Sequence, residues 1–169
     1  MAQDWTDELL NRWGAVRPRQ DMEAYQVTAR ISRIALHIAR HQEEAFGRFG
    51  LNRGEIGVLA ALRTAGAKQL SPTRLFKGLM LSSAGITSRL DRLERRGYVK
   101  RHRHPDDRRG VLIELTDAGR DVLDQAVKAN TGGEKELTAS LSKQQKQVLA
   151  GLLKKMLAGL EPDPDGGTA

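Results

Sequence analysis

Two short stretches carry the residues best suited to chemistry, and both suit the recognition of negative charge. The first, SSAGITSR, runs from Ser82 to Arg89. Ser82, Ser83, Thr87 and Ser88 can bond phosphates or base edges, and the small residues among them let a backbone come close. Arg89 is long enough to reach a guanine or a phosphate. The second, DDRRG, sets Arg108 and Arg109 behind Asp106 and Asp107, directly before the alternating run VLIEL. A hairpin tip needs polar residues, but not two adjacent arginines. One reading is a solvated turn. The other is a probe of the DNA minor groove, whose narrow form concentrates negative potential, and the independent fit of the preceding helix favours it.

Catalytic constellations are thin. The chain has no cysteine, which excludes disulfides, thiolate metal sites and cysteine nucleophiles and is compatible with a reducing cytoplasm. No glycine-rich phosphate loop of the usual pattern and no histidine beside a serine motif is found. Asp106 and Asp107 form an acid pair in principle, but at an exposed tip beside two arginines they stay ionised. His37 and His41 stand four apart with Glu44 a turn further on, a spacing that can bind zinc, although such a pair on a long polar helix is more often surface. His102 and His104 alternate as on a solvated strand edge and add charge at low pH. The expectation is a protein without enzymatic activity, metal or cofactor.

Charge is concentrated. The formal net charge is +7 over 169 residues, and the segment 82–109 alone holds nine basic and four acidic side chains. Residues 110–169 hold seven basic and nine acidic. A basic centre with an acidic end points to a polyanion partner in the middle. No stretch approaches the ~20 apolar residues of a membrane helix, and the acidic, amphipathic N-terminus does not read as a signal peptide.

The elements that must position these residues are mostly helical. Asp4–Trp13 is a short amphipathic helix, and a long one runs from a cap at Asp21 to about Phe49. Asn52 caps Arg53–Ala65, and Ser71 with Pro72 opens the next helix. Ile86, Leu90 and Leu93 then mark the inner side of a helix capped by Ser82 or Ser83 and ended by Gly97. Strands are expected at Tyr98–His104 and Gly110–Leu115, and Thr116 caps a helix to about Ala129 that TGG interrupts. Ser142 opens a last helix with the apolar stripe Val148, Leu152, Leu153, Met156 and Leu160, better suited to dimer packing than to a membrane surface.

Helix, helix, helix, strand, tip, strand is a winged helix-turn-helix, a mainly α fold with a small β-hairpin wing. It is assigned to residues 51–115. N-terminal helices at 1–50 and C-terminal helices at 116–160 flank it for dimerisation, with a candidate ligand pocket in the first group, and 161–169 is a disordered tail.

The run DRLERRGYVKRHRHPDDRRGVLIELTDAGR, residues 91–120, resembles the MarR family of bacterial transcription regulators. The motif is Asp107-x-Arg109, five residues, Leu115-Thr116, two residues, Gly119. The resemblance implies a homodimer whose two winged helices meet successive major grooves of a pseudopalindromic operator in double-stranded DNA. It implies that Arg109 enters the minor groove and that Asp107 orients it. The extra first helix with Trp13 is similar to the urate-responsive branch, which holds a small aromatic acid between the dimer helices and the DNA-binding lobe. Trp13, Arg89 and Arg101 match that branch's ligand residues, whereas Gly57 stands where it carries an acid. Trp13 is equally open to a packing role. The function expected is a repressor released by a small anionic or aromatic ligand. The alternative is a winged-helix architectural protein or protein–protein adaptor without ligand response.

Overall fold

The computed structural model describes residues 3–16, 22–66, 69–79, 83–105, 107 and 110–161. In chain order the elements are α1 (Trp5–Val16), α2 (Glu23–Gly47), α3 (Arg53–Thr64), β1 (Gln69–Leu70), α4 (Pro72–Leu79), α5 (Ser83–Arg95), β2 (Val99–Arg103), β3 (Val111–Leu115), α6 (Asp117–Leu137) and α7 (Lys143–Ala158). The chain is mostly helical with one small antiparallel sheet, as expected, and α3 to β3 follow the order of a winged helix-turn-helix. Two compact units are present, Met1–Asn130 and Thr131–Ala169.

Local chemistry sets the helix limits. Asn52 and Glu55 form a reciprocal capping box at the start of α3: each side chain accepts the other residue's backbone N–H, at 2.9 Å in both directions. Ser142 and Gln145 do the same for α7. Ser71 Oγ accepts the Arg74 N–H at the start of α4. Gly97, at φ +73°, turns the chain out of α5, a conformation that L side chains rarely adopt. The expected caps Asp21 and Ser82 lie outside the described residues.

The core of the first unit is built from α3, α4, α5 and the sheet, with Phe46 at the end of α2 and Leu123 and Ala126 of α6 joining it. Val58, Leu59, Leu75, Ile86, Leu90, Leu93 and Ile113 are buried there. The sheet order is β1-β3-β2, with Val99 opposite Leu115 and Arg103 opposite Val111. Ile113 and Leu115 face inward, whereas Val111, expected on the same face, stays exposed toward the wing's end. Strand β1 was not expected. Its two residues pair with Glu114 and Ile113, and two residues are too short to show any periodicity.

The expected break at Thr131–Gly133 is a correction: α6 runs through it unbroken to Leu137. Each glycine costs about 1 kcal/mol of helix propensity against alanine. Helix formers on both sides, Ala126, Lys128 and Ala129 before and Glu134 to Leu137 after, offset that cost. The two compact units nevertheless divide at Asn130 and Thr131, beside these glycines.

Helix α1 is tied to α2 by charge. Arg30 donates to Asp4 at 2.8 Å and to Asp7 at 2.6 Å, and the Arg33 guanidinium lies 4.6 Å from the Trp5 ring centre. The Asp7 backbone N–H, and then Arg30, hold the Asp4 carboxyl below its ordinary value.

Candidate nucleic-acid interface

Helix α5 separates its two sides cleanly. Ile86, Leu90 and Leu93 turn into the core, while Thr87, Ser88 and Asp91 are exposed. The outward row therefore begins with small hydroxyl residues near the helix N-terminus, the end that reaches base edges when such a helix enters a major groove. Arg92 Nη1 donates to Ser88 Oγ at 2.9 Å, which fixes that oxygen and leaves its proton to be donated outward. Ser82 and the side chain of Ser83 lie outside the described residues.

The C-terminal half of α5 is anchored by its arginines. Arg92 Nε donates to Glu55 at 2.6 Å, and Glu55 is buried with only 4% of its side chain exposed. One carboxylate thus closes the capping box of α3 and grips α5. Arg96 donates to the Gly50 carbonyl and lies over the Tyr98 ring. Arg95 Nε donates to the Asp91 carbonyl, a local helix contact. For Arg92 the partner is Glu55, 37 positions away, and no local pattern signals it.

The wing is braced against the same helix. Arg101 on β2 donates to Glu94 at 2.8 Å and to Asp91 at 2.6 Å. His102 stands 2.7 Å from Glu114 across the strand pair, and Gln69 on β1 donates to the same carboxylate at 3.2 Å. At the tip, Gly110 N–H donates to the Asp107 carbonyl, and His104 N–H to that of Gly110, both at 2.9 Å. Asp107 is exposed. Arg108 and Arg109, the sequence's candidates for the minor groove, lie outside the described residues.

The three candidate ligand residues are not gathered within one chain. Arg89 reaches back toward α3 and borders a cavity of about 420 Å³ lined also by Gln42, Phe46, Arg53, Gly54, Ile56 and Gly57. Arg101 is engaged with Asp91 and Glu94, and neither it nor Trp13, 42% exposed on α1, lines that cavity. Gln42 and Arg53 were not singled out in the sequence. They sit on α2 and α3 with no motif around them, and only the packing of those helices against α5 brings them to Arg89. His41, weighed as a metal ligand, instead has its Nε2 3.1 Å from the Asn130 carbonyl.

Comparison with known proteins agrees with this architecture. Residues 49–110 match the family model described as MarR family. The HTH-type transcriptional regulator PecS of Dickeya dadantii is 34% identical over 147 residues, covering 86% of this chain and 89% of that protein. Among solved structures, a MarR mutant from E. coli complexed with operator DNA is 29% identical with a TM-score of 0.71, covering 82% of this chain and 99% of that one. A MarR family transcriptional regulator from Streptomyces coelicolor, in complex with DNA, shares the fold with a TM-score of 0.75 over 85% of this chain and 91% of its own, at 24% identity. The chain belongs to the MarR family of transcription regulators.

Proposed function

We propose that the chain is a homodimeric, sequence-specific DNA-binding regulator, a repressor that holds a pseudopalindromic operator and releases it when a small anionic or aromatic ligand binds. The observation that carries the reading is the two-sided α5: an apolar side closed within the chain and a hydroxyl-rich outward side, in the most basic segment of the sequence. The operator DNA in the E. coli MarR complex supports it by likeness. Ser82, Ser83, Thr87, Ser88 and Arg89 serve the major groove. Arg108 and Arg109, with Asp107 orienting the latter, serve the minor groove. Two copies place their α5 helices about one DNA turn, roughly 10 bp, apart. The chain acts in the cytoplasm and catalyses nothing. The winged helix-turn-helix of residues 51–115 is the reading unit, and the flanking helices at 1–50 and 116–160 make the dimer. The ligand is assigned to the Arg89 cavity, whose lining combines the basic residues Arg53 and Arg89 with apolar Phe46 and Ile56. Trp13 and Arg101 are retained as ligand candidates on the resemblance alone.

The test is a titration of DNA from upstream of the protein's own gene against random DNA at fixed salt. Tight binding to one short pseudopalindrome is expected, and Arg109→Ala should weaken it by about 1–3 kcal/mol. Equal, salt-sensitive binding to both DNAs would favour an architectural role, and absence of binding the adaptor. Adding aromatic acids to the same titration tests release.

A further inference from the structure

Gly54 stands in the first turn of α3, where nothing about the backbone asks for glycine. Its φ lies outside the left-handed region occupied by Gly50, Gly66 and Gly97. Alanine is the better helix former at such a position. What fills the space a side chain would take is Arg89. A Cβ at residue 54 would overlap Arg89 Nε and stand 2.8 and 2.9 Å from its Cζ and Nη2. These atoms belong to a flexible side chain, so a methyl group at 54 can be admitted by moving Arg89 alone. A second observation concerns the same atom: Arg89 Nε is buried and has no hydrogen-bond partner among the described residues. A buried donor without an acceptor is unfavourable, so the seat is a position from which Arg89 can be drawn by an acceptor elsewhere.

We propose that Gly54 is a positioning residue: it forms a notch on α3 that sheathes Arg89 in a retracted seat, withheld from DNA, and the occupancy of that seat sets the affinity for the operator. The proposal rests on the reading of Arg89 as a DNA contact. DNA draws the guanidinium out. If the extended, binding-competent form of Arg89 is populated at roughly 10–30%, abolishing the seat tightens binding by about three- to tenfold, because apparent affinity scales with the competent fraction.

The experiment compares wild type, Gly54→Ala, Arg89→Ala and the double variant by fluorescence anisotropy at fixed salt. The probe is the tightest duplex that the wild-type protein selects from a random-sequence pool. Gly54→Ala should bind about three- to tenfold more tightly than wild type. In the Arg89→Ala background the same substitution should change nothing, a dependence that mere helix stabilisation would not produce. The ¹⁵N-edited resonance of the Arg89 Nε–H should lose its protection from solvent exchange in Gly54→Ala. Gly54→Ser serves as a second filling of the notch should the alanine variant misfold. An affinity unchanged or weakened by filling the notch, or changed equally in both backgrounds, overturns the seat. Should Arg89→Ala bind as tightly as wild type, Arg89 leaves the interface and the proposal goes with it, an outcome distinct from failure of the seat alone.

Discussion

Helices α5 and α7 are both amphipathic, yet they treat their apolar sides in opposite ways. On α5, Ile86, Leu90 and Leu93 are at most 2% exposed. On α7, Val148, Leu152 and Met156 are 57%, 58% and 38% exposed. A helix that completes its own chain's core can give its outer side to another task. A helix whose stripe is left open is what the proposed dimer would cover, since contiguous apolar patches beyond a few hundred Å² are uncommon on monomers. Val27, Ile34 and Leu36 on α2 are open in the same manner. The proposed function thus gives recognition and assembly to different helices, and substitutions should separate them.

The largest effect is expected from charging the open stripe. Leu152→Asp combined with Met156→Asp should turn the proposed dimer into monomers in sedimentation analysis. Operator affinity should then fall by about 10²–10⁴, the range that linkage of two binding modules confers. A dimer that survives this change would move the interface off α7. Next in size is the closed stripe: Leu93→Ala should cost about 2–5 kcal/mol in denaturant unfolding through the cavity it leaves. If Leu93 behaved as a surface residue, within about 0.5 kcal/mol, the contrast between the two helices would collapse. The smallest effect is expected at the joint between α3 and α5. Glu55→Gln keeps a capping-box residue but removes the negative charge that faces Arg92, and a loss of about 1 kcal/mol in urea unfolding is expected, reduced because the Arg92 side chain is 40% exposed.

Much of this was legible in the sequence where the governing interactions are local. The periodicity of Ile86, Leu90 and Leu93 announced the inner side of α5. Asn52, Ser71, Gly97 and Ser142 announced helix ends by chemistry confined to one turn. The same locality hid Glu55: its partner lies on another helix, so the residue looked like one charge among many. It also misjudged Thr131–Gly133, where two glycines argue for a break that the residues on either side outweigh. Strand β1 was too short for any pattern. At the site, the stretch SSAGITSR pointed to Arg89 as a residue of interest, but its seat depends on the absence of a side chain at Gly54, and an absence gains meaning only once two helices are packed together.

Thr116 draws these threads to the base of the wing. Its hydroxyl lies 2.7 Å from the Gly97 carbonyl and 3.0 Å from that of Tyr98, and it accepts the Gly119 N–H at 3.0 Å. Its own backbone N–H donates to Tyr98, and any side chain at Gly119 would run into that same carbonyl. The corner where β3 becomes α6 is therefore welded rather than hinged. Mechanically, the first turns of α6 and the root of the wing form one stiff bracket, so a rotation imposed on that end of the helix arrives at the wing as tilt, with no slack joint to absorb it.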